Sequence, residues 1–322
     1  MSTFSSKLPN VENSIFGVMS RKAAEYNAVN LSQGFPDFDA DPKLIDLVTD
    51  FMKKGYNQYA PMPGVLELRQ AISSKHKLCQ DTNYDPDTEI TVTAGATQAI
   101  ATAITTLIKP GDEVVIFEPT YDAYVPLIEL QGGISIPLEL KAPKFKPDWQ
   151  DVADAISDKT RAILINTPHN PCGSILDKDD LNELAKIIKD KDIYIISDEV
   201  YEHIVFDNKQ HLSVSTHPEL FKKTFVISSF GKTLHTTGWK CGYCIAPEDL
   251  TKEFRKAHQF IVYAVNTPVQ YAIAEYLRDS ENYQQVSPFY QQKRDLLTSL
   301  LKKSKFKFTP SSGTYFQLID YS

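Results

Sequence analysis

Short apolar runs alternate with amphipathic stretches between about residue 88 and residue 247. Apolar runs of this length predict buried strands, and stretches with apolar residues three or four positions apart predict helices. Strands that are apolar on both faces and joined by helical crossovers indicate an α/β fold with a mostly parallel sheet. The predicted helices are 97–108, 124–130 and 178–190. The predicted strands are EITVTAG (89–95), DEVVIFEP (112–119), ISIPLEL (134–140), RAILINTP (161–168), IYIISDE (193–199), TFVISSF (224–230) and CGYCIAP (241–247).

The pattern changes after Pro247. Helical periodicity extends over residues 250–280, a second predicted helix covers residues 284–303, and strand-like alternation begins at Phe306. A unit with one helix and one or two strands has no core of its own. We therefore expect either that residues 1–30 pack with it or that the chain is part of a longer protein. The expected division is an N-terminal arm or small-domain segment (1–30), a large domain (31–250), and a linker helix with part of a smaller domain (251–322).

The composition of this 322-residue chain excludes some classes of protein. Apolar residues make up 42% and charged residues 23%, which is ordinary for a folded protein. The formal net charge of −7 argues against nucleic acid or a membrane surface as a partner. No signal peptide and no apolar segment of membrane-spanning length is visible. Four cysteines weakly favour a reducing compartment, and Cys241-x-x-Cys244 lacks a second ligand pair. We expect a cytoplasmic protein without a metal site.

The end of the first predicted strand has residues suited to an anion. Ligands collect at the carboxyl ends of strands in open parallel α/β sheets. Gly95, Ala96 and Thr97 join this strand to a helix, and small residues there expose backbone N–H groups at the positive helix end. Phosphate would fit, although a tight turn would favour the same residues. Neither G-x-x-x-x-G-K-[ST] nor G-x-G-x-x-G occurs, so no nucleoside triphosphate or dinucleotide is implied.

Two further strand ends carry polar residues. Asn170, in NTPHNPCG, precedes a proline, and Asn-Pro pairs are also common turn starters. Asp198 ends a strongly apolar strand and needs a partner, because an unpaired buried charge is costly. A helix cap would explain Asp198 equally well. Tyr201 follows at a spacing that brings its hydroxyl near the same strand end.

A lysine stands at the end of the strand TFVIS. Most lysines are exposed, but Lys232 lies among Ser229, Phe230 and Gly231, where solvent access should be poor. Desolvation and nearby cations favour a neutral amine, which is a nucleophile toward an aldehyde. A phosphate site, a lysine, a buried aspartate, an asparagine and a tyrosine are the parts needed to hold pyridoxal phosphate.

Four motifs together resemble those of the class I, fold-type I pyridoxal-phosphate aminotransferases: SFGKTLHTTGWKCGY, ISDEVYEHI, NTPHNPCG and TAGATQAI. NLSQGFPDFD (30–39) and NQYAPMPGVLELR (57–69) are similar to the branch of methionine aminotransferases and kynurenine–oxoglutarate transaminases. Some members of that branch also act as cysteine-conjugate β-lyases. The resemblance runs from about residue 7 to the last residue, in family order. It implies a mostly parallel central sheet flanked by helices, plus a smaller α+β domain.

The resemblance also implies a role for each cofactor-binding residue. Lys232 would form the Schiff base with pyridoxal phosphate and would move the proton between the substrate α-carbon and the cofactor. Asp198 would pair with the pyridine nitrogen, and Asn170 and Tyr201 would bind the phenolic oxygen. Tyr121, in EPTYDAY, would stack on the ring. The phosphate would be held by Gly95, Ala96, Thr97, Ser229 and Lys240.

The substrate site and the partner subunit follow from the same resemblance. Gly34, Phe35 and Asn170 would line the substrate site, with Tyr263 as a further candidate. Tyr59, in NQYAPMPG, would reach the phosphate in the other subunit, so a homodimer is implied. Family members continue past GTYFQLIDYS, and that portion carries the arginine that grips the substrate carboxylate. None of the six arginines here stands in that motif, so we expect a complete cofactor site and an incomplete carboxylate site.

We therefore expect an aminotransferase that moves the amino group of methionine or aromatic amino acids, kynurenine included, to a 2-oxo acid. β-Elimination from sulfur-bearing amino acids starts with the same proton abstraction and stays open as an alternative. A non-catalytic regulator that binds the cofactor would bring an N-terminal helix-turn-helix domain, for which the N-terminus leaves no room. A plain nucleotide-binding α/β protein is disfavoured by the missing glycine motifs.

Overall fold

The computed structural model describes residues 5–9, 11, 14–32, 34, 36 and 38–322. The strands are β1 (Ile90–Thr93), β2 (Glu113–Glu118), β3 (Ile134–Glu139), β4 (Thr160–Asn166), β5 (Tyr194–Asp198), β6 (Thr224–Ser229) and β7 (Gly242–Ile245). The helices are α1 (Ile15–Glu25), α2 (Pro42–Lys53), α3 (Leu66–Gln80), α4 (Ala96–Leu107), α5 (Tyr124–Leu130), α6 (Trp149–Ala155), α7 (Lys178–Ile188), α8 (Pro218–Phe221), α9 (Phe230–Thr233), α10 (Glu248–Ile261), α11 (Thr267–Tyr276), α12 (Glu281–Gln284) and α13 (Val286–Leu301).

These strands form a sheet in the order β1-β7-β6-β5-β4-β2-β3. Strands β3, β2, β4, β5 and β6 are parallel, whereas β7 is antiparallel to both β6 and β1. Each strand overlaps a run predicted from the sequence, and the expected α/β fold with a mostly parallel sheet is confirmed. Asn166 at the end of β4 is in register with Asp198 at the end of β5, which is in register with Ile227 of β6. Three carboxyl ends therefore meet at one edge of the sheet.

Apolar side chains bury both faces of the sheet. Val114 and Ile116 of β2 pack in one cluster with Ile104 of α4. Val115, between them in sequence, packs in a second cluster with Leu184 of α7. This alternation arises because successive side chains of a strand point to opposite faces. Helices on both sides thus explain why the strands read as continuous apolar runs.

The segment after α13 differs from the sequence prediction. Residues 306–322 form no strand, and only isolated bridges link Val205 to Gly313 and Lys307 to Asp320. Pro310 lacks the N–H group that a ladder requires, which opposes strand formation here. Two backbone bonds anchor the segment instead, from Phe206 N to Ser312 O and from Thr314 N to Ile204 O, each 2.9 Å long. The loop that follows Ser311 is therefore held against the chain just beyond β5.

The helices after β7 follow the predicted pattern. Asn266 interrupts the long periodic stretch, because its side chain accepts a hydrogen bond from Val269 N and caps α11, with Pro268 in the first turn. The helix expected over residues 284–303 is present as α13. Within the part of the chain that is described, no helix combines the length and the apolar character needed to cross a membrane.

Candidate active site

A cavity of about 190 Å³ opens at the carboxyl ends of β4, β5 and β6. Most of the residues expected at the cofactor site line it, together with Gly34, which was expected at the substrate site. They are Gly34, Ala96, Thr97, Tyr121, Asn170, Asp198, Tyr201, Ser229, Lys232 and Lys240. The strand order explains this convergence, because residues that are far apart in sequence follow neighbouring parallel strands.

One end of the cavity is suited to an anion. Gly95 precedes α4 with φ of 78°, a backbone conformation that other residues rarely adopt. A Cβ atom on Gly95 would come within 3.3 Å of the Lys240 Nζ atom, so the ammonium lies beside the start of the helix. The first turn of α4 contains no acidic residue. Among the described residues, Lys240 Nζ has no carboxylate within ion-pair distance. The helix end and this cation together fit a phosphate group.

A buried carboxylate also lines the cavity. Asp198 is only 4% exposed, and its Oδ2 atom accepts a hydrogen bond of 2.6 Å from the Tyr124 hydroxyl. Val200 N donates to Asp198 Oδ1 over 3.3 Å. Burial raises the pKa of Asp198 to about 6, against the lowering effect of the Tyr124 hydrogen bond. A cationic N–H group that enters the cavity would offset the cost of burying the Asp198 carboxylate. A carboxylate of this kind is what we expect as the partner of a protonated pyridine nitrogen.

The asparagine pair after β4 holds the wall beside Asp198. Asn166 Nδ2 donates to the Asp198 carbonyl oxygen over 2.9 Å, and Asn166 Oδ1 accepts from Asn170 N over 2.6 Å. The backbone of the NTPHNP segment is thereby tied to β5. The Asn170 side chain, which makes no hydrogen bond to the described residues, lines the cavity and can bind a ligand.

Lys232 is the third residue of the short helix α9, which begins directly after β6. Ser229 caps that helix, because its Oγ atom accepts a hydrogen bond of 3.1 Å from Gly231 N. The Lys232 Nζ atom is 5.6 Å from the ring centroids of both Tyr201 and Tyr315. It also donates a hydrogen bond of 3.0 Å to the Tyr315 hydroxyl. The amine is therefore held against an aromatic wall of the cavity, formed by the rings of Tyr201 and Tyr315.

The structure brings two predicted residues together outside this cavity. Tyr59 is 83% exposed, and its ring contacts that of Tyr263 edge-on with centroids 5.5 Å apart. Neither lines the cavity that holds Lys232. The role of Tyr263 at a substrate site therefore stays a prediction. Phe35 lies outside the described residues.

Sequence reasoning missed several residues that line or support the cavity. Phe16 of α1 and Phe316 of the C-terminal segment line it, as do Asn166 and Tyr124. Asn166 opens the NTPHNPCG motif that contains Asn170, and its place at a strand end was a usable signal. Phe16 and Phe316 gave no such signal, since isolated aromatics are usually part of a core.

None of the six arginines of the chain lines the cavity. Five of them bond to protein groups elsewhere: Arg69 to Asp87, Arg161 to Asp192, Arg255 to Thr91, Arg278 to Glu275 and Arg294 to Asp207. As far as the described residues show, the cavity contains the groups expected around a cofactor and no guanidinium for a carboxylate.

Comparison with known proteins connects this geometry to a family. A sequence model described as "Aminotransferase class I and II" matches residues 26–322. Methionine aminotransferase of Escherichia coli (strain K12) is 48% identical over 98% of this chain and 82% of its own length. A kynurenine–oxoglutarate transaminase of Dictyostelium discoideum is 34% identical over 98% of this chain and 78% of its length. The crystal structure of an Escherichia coli protein with an identified methionine aminotransferase function superposes with a TM-score of 0.96 at 46% identity, covering 100% of this chain and 84% of that one.

Proposed function

Because this chain belongs to the class I and II aminotransferase family, we propose that it transfers the amino group of methionine or an aromatic amino acid to a 2-oxo acid. The protein is an aminotransferase that depends on pyridoxal phosphate and acts on amino acids and 2-oxo acids. The choice of donor is the part we propose. The observation that carries the site is the meeting of Lys232, Asp198 and Lys240 around one cavity.

Pyridoxal phosphate, when bound, supplies an aldehyde for an amine and a ring that accepts electrons from the substrate α-carbon. We propose that Lys240, Ser229 and the start of α4 hold its phosphate. Asp198 would keep the ring nitrogen protonated, since its buried carboxylate would gain a cationic partner. Asn170 and Tyr201 would bind the phenolic oxygen, and the Tyr121 ring would hold the pyridine ring.

Lys232 is the proposed base and acid. Its amine takes the proton from the substrate α-carbon and returns it at a second position, so it must stay mobile yet confined. The aromatic wall formed by Tyr201 and Tyr315 keeps water away from the amine on one side. A half-buried lysine in such a wall is suited to moving a proton over a short distance.

The proposed donor class rests on apolar residues that line the cavity. Phe16 and Phe316 line it together with Gly34, whose missing side chain leaves space. A methionine thioether or an aromatic ring would pack favourably on such rings. Methionine and kynurenine also appear in the names of the relatives described above.

Assembly and location complete the proposal. We propose a homodimer in which Tyr59 of one subunit reaches the cofactor phosphate of the other. The side chain of Tyr59 is 83% exposed and lies outside the cavity of its own chain, where a second subunit can contact it. We keep the division into residues 1–30, 31–250 and 251–322 as a proposal, with the enzyme working in the cytoplasm. The four cysteines are free thiols, as a reducing compartment would allow.

A donor screen tests the function directly. The purified enzyme would be incubated with pyridoxal phosphate, a 2-oxo acid and each of ten amino acids, and the new amino acid measured. We expect methionine and the aromatic amino acids to be the best donors. Preferred use of aspartate would contradict the donor class. Pyruvate and ammonia released from a cysteine conjugate, without new amino acid, would favour β-elimination.

A further inference from the structure

We propose that Tyr315 is a further catalytic residue, which holds the Lys232 amine whenever that amine is not bonded to the cofactor. The inference rests on the proposed function, because it assigns another residue to the same site. Tyr315 touches the reacting nitrogen itself, since Lys232 Nζ donates to its hydroxyl over 3.0 Å. Within the described parts of the chain, this hydroxyl is the hydrogen-bond acceptor of Lys232, and no carboxylate lies within ion-pair distance of the amine.

The direction of the hydrogen bonds gives the hydroxyl its role. Tyr315 Oη donates its only proton to the Gly34 carbonyl oxygen over 2.7 Å. The oxygen can therefore only accept a hydrogen bond from Lys232. It has no second proton to donate to the lone pair of a neutral amine, so that lone pair is left free. A neutral Lys232 that donates one N–H to Tyr315 keeps its lone pair free. That lone pair is what the amine needs to take a proton from the substrate α-carbon.

The hydroxyl is fixed in position before any ligand enters. The Tyr315 ring packs against Tyr201, Tyr290 and Phe316, with centroids 5.3, 5.4 and 5.0 Å away. The preceding residues are tied to the segment that follows β4, since Gly313 N donates to Gly173 O over 2.9 Å. A group that is held on so many sides does not have to be ordered during the reaction.

The same hydroxyl links the lysine to the substrate side of the cavity. Gly34 lines the cavity, and a Cβ atom there would come within 2.4 Å of the Tyr315 ring. Only glycine fits this close approach. Tyr315 thus sets the distance between the Lys232 amine and the segment around Gly34, where the substrate side chain is proposed to bind.

Two substitutions separate this role from a merely structural one. Tyr315→Phe keeps the ring and removes the hydroxyl. Tyr276→Phe is the matched control, because the Tyr276 hydroxyl also donates a hydrogen bond, to Asp41 Oδ2 over 2.7 Å, away from the cavity. Both variants are expected to fold with similar thermal midpoints, since each loses one hydroxyl.

The first measurement uses the complete enzyme loaded with cofactor. Methionine transamination would be compared between protonated and α-deuterated methionine. We expect Tyr315→Phe to lower kcat by roughly ten- to a hundredfold, with a smaller change in KM, because the amine becomes charged as it takes up the proton and then lacks one hydrogen bond. The deuterium isotope effect on kcat should increase, because proton transfer becomes slower than the other steps. Tyr276→Phe should match the parent protein.

The second measurement does not depend on turnover. The full chain freed of cofactor would be methylated with formaldehyde and cyanoborohydride, and the Lys232 peptide quantified against that of the exposed Lys302. The hydrogen bond to Tyr315 holds the Lys232 amine against the aromatic wall, so its removal frees the amine to reach the reagent. We expect Lys232 to react about three- to tenfold faster in Tyr315→Phe, and unchanged in Tyr276→Phe.

The outcomes distinguish this inference from the proposed function. Parent-like kcat, isotope effect and Lys232 labelling in Tyr315→Phe, with an active parent enzyme, would overturn the role of Tyr315 alone. A parent enzyme that transaminates no amino acid would contradict the proposed function, whereas faster labelling of Lys232 in Tyr315→Phe would still support the contact. A change in thermal midpoint without any change in labelling or isotope effect would reduce Tyr315 to a packing residue.

Discussion

The hydroxyl of Tyr124 donates a hydrogen bond of 2.6 Å to the Asp198 carboxylate, and both residues are buried. Tyr124 begins α5, whereas Asp198 ends β5, so the bond joins two elements that are distant in sequence. Burial, with a further contribution from Asp198, raises the pKa of Tyr124 well above its usual value. The hydroxyl therefore stays protonated and acts as a donor that keeps one carboxylate oxygen in place, leaving Asp198 oriented toward the cavity.

Removal of this donor should weaken cofactor binding. In Tyr124→Phe the carboxylate loses its neutral hydrogen-bond partner, and one buried hydrogen bond to a charged group contributes about 1.5 to 3 kcal/mol. We expect affinity for pyridoxal phosphate to fall roughly tenfold or more, measured by titrating cofactor-free protein and following visible absorbance. Tyr84→Phe, which loses a buried hydroxyl bonded to Ser215, is the control. Equal affinities in the two variants would mean that Tyr124 does not orient Asp198.

Asp198 itself should matter more for turnover than for binding. Asp198→Asn keeps the shape but cannot hold a proton on the pyridine nitrogen, so the ring accepts electrons poorly. We expect transamination to fall by at least about a hundredfold, while the phosphate contacts at Lys240 retain part of the affinity. Single-turnover rates with methionine would measure the loss. Near-normal turnover would remove Asp198 from the role proposed here.

The sequence predicted the sheet and the cofactor side of the cavity because both depend on local patterns. Asp198 and Lys232 follow apolar strands, and the strand ends of a parallel sheet must meet. Tyr124 and Tyr315 were not predicted. Their roles arise from contacts across 74 and 83 positions of the chain, which no local pattern encodes. The C-terminal alternation was interpreted as a strand for the same reason, since its anchors lie around Ile204 and Phe206.

Lys240 and Gly95 can be tested as one unit. Lys240→Ala removes the cation beside the start of α4, and we expect affinity for pyridoxal phosphate to fall by roughly tenfold or more. Gly95→Ala should also bind the cofactor poorly, because φ is 78° and the new Cβ would lie 3.3 Å from Lys240 Nζ. Affinity for pyridoxal, which lacks phosphate, should hardly change in Lys240→Ala. An equal loss for both ligands would show that Lys240 does not act on the phosphate.

Buried histidines should make the protein sensitive to acid. His76 and His203 lie beside the buried Lys75–Glu202 ion pair, and burial, followed by the Lys75 charge, lowers the pKa of each to about 3. The unfolded chain takes up these protons near pH 6.5, whereas the folded chain does not. The stability is therefore fully present above pH 6.5 and is lost as the pH falls toward 3.

A variant separates this effect from general acid denaturation. His203→Asn should flatten the fall of the thermal midpoint between pH 6.5 and 4, although its midpoint at pH 7.5 is lower because a buried contact with Lys75 is lost. His217→Asn serves as the control and should follow the parent curve. Asp198 changes the stability in the opposite sense, because its raised carboxyl pKa favours the folded state at low pH. The thermal midpoints of the variants are therefore compared with one another at each pH. A His203→Asn curve parallel to that of the parent would contradict the assignment.

A shared active site predicts that two inactive proteins rescue each other. Tyr59 is 83% exposed and packs edge-on against Tyr263, away from the Lys232 cavity of its own chain. If it serves the neighbouring subunit, a Lys232→Ala chain can supply an intact Tyr59 to the cavity of a Tyr59→Ala chain. That hybrid cavity has both groups, so an equal mixture of the two variants should regain up to about a quarter of parent activity after subunit exchange, since half of the dimers are hybrids with one working site each. The exchange would be verified by native mass spectrometry of differently tagged chains. Proven exchange without recovery, where Tyr59→Ala alone is severely impaired, would place Tyr59 in its own subunit's chemistry or outside the site altogether.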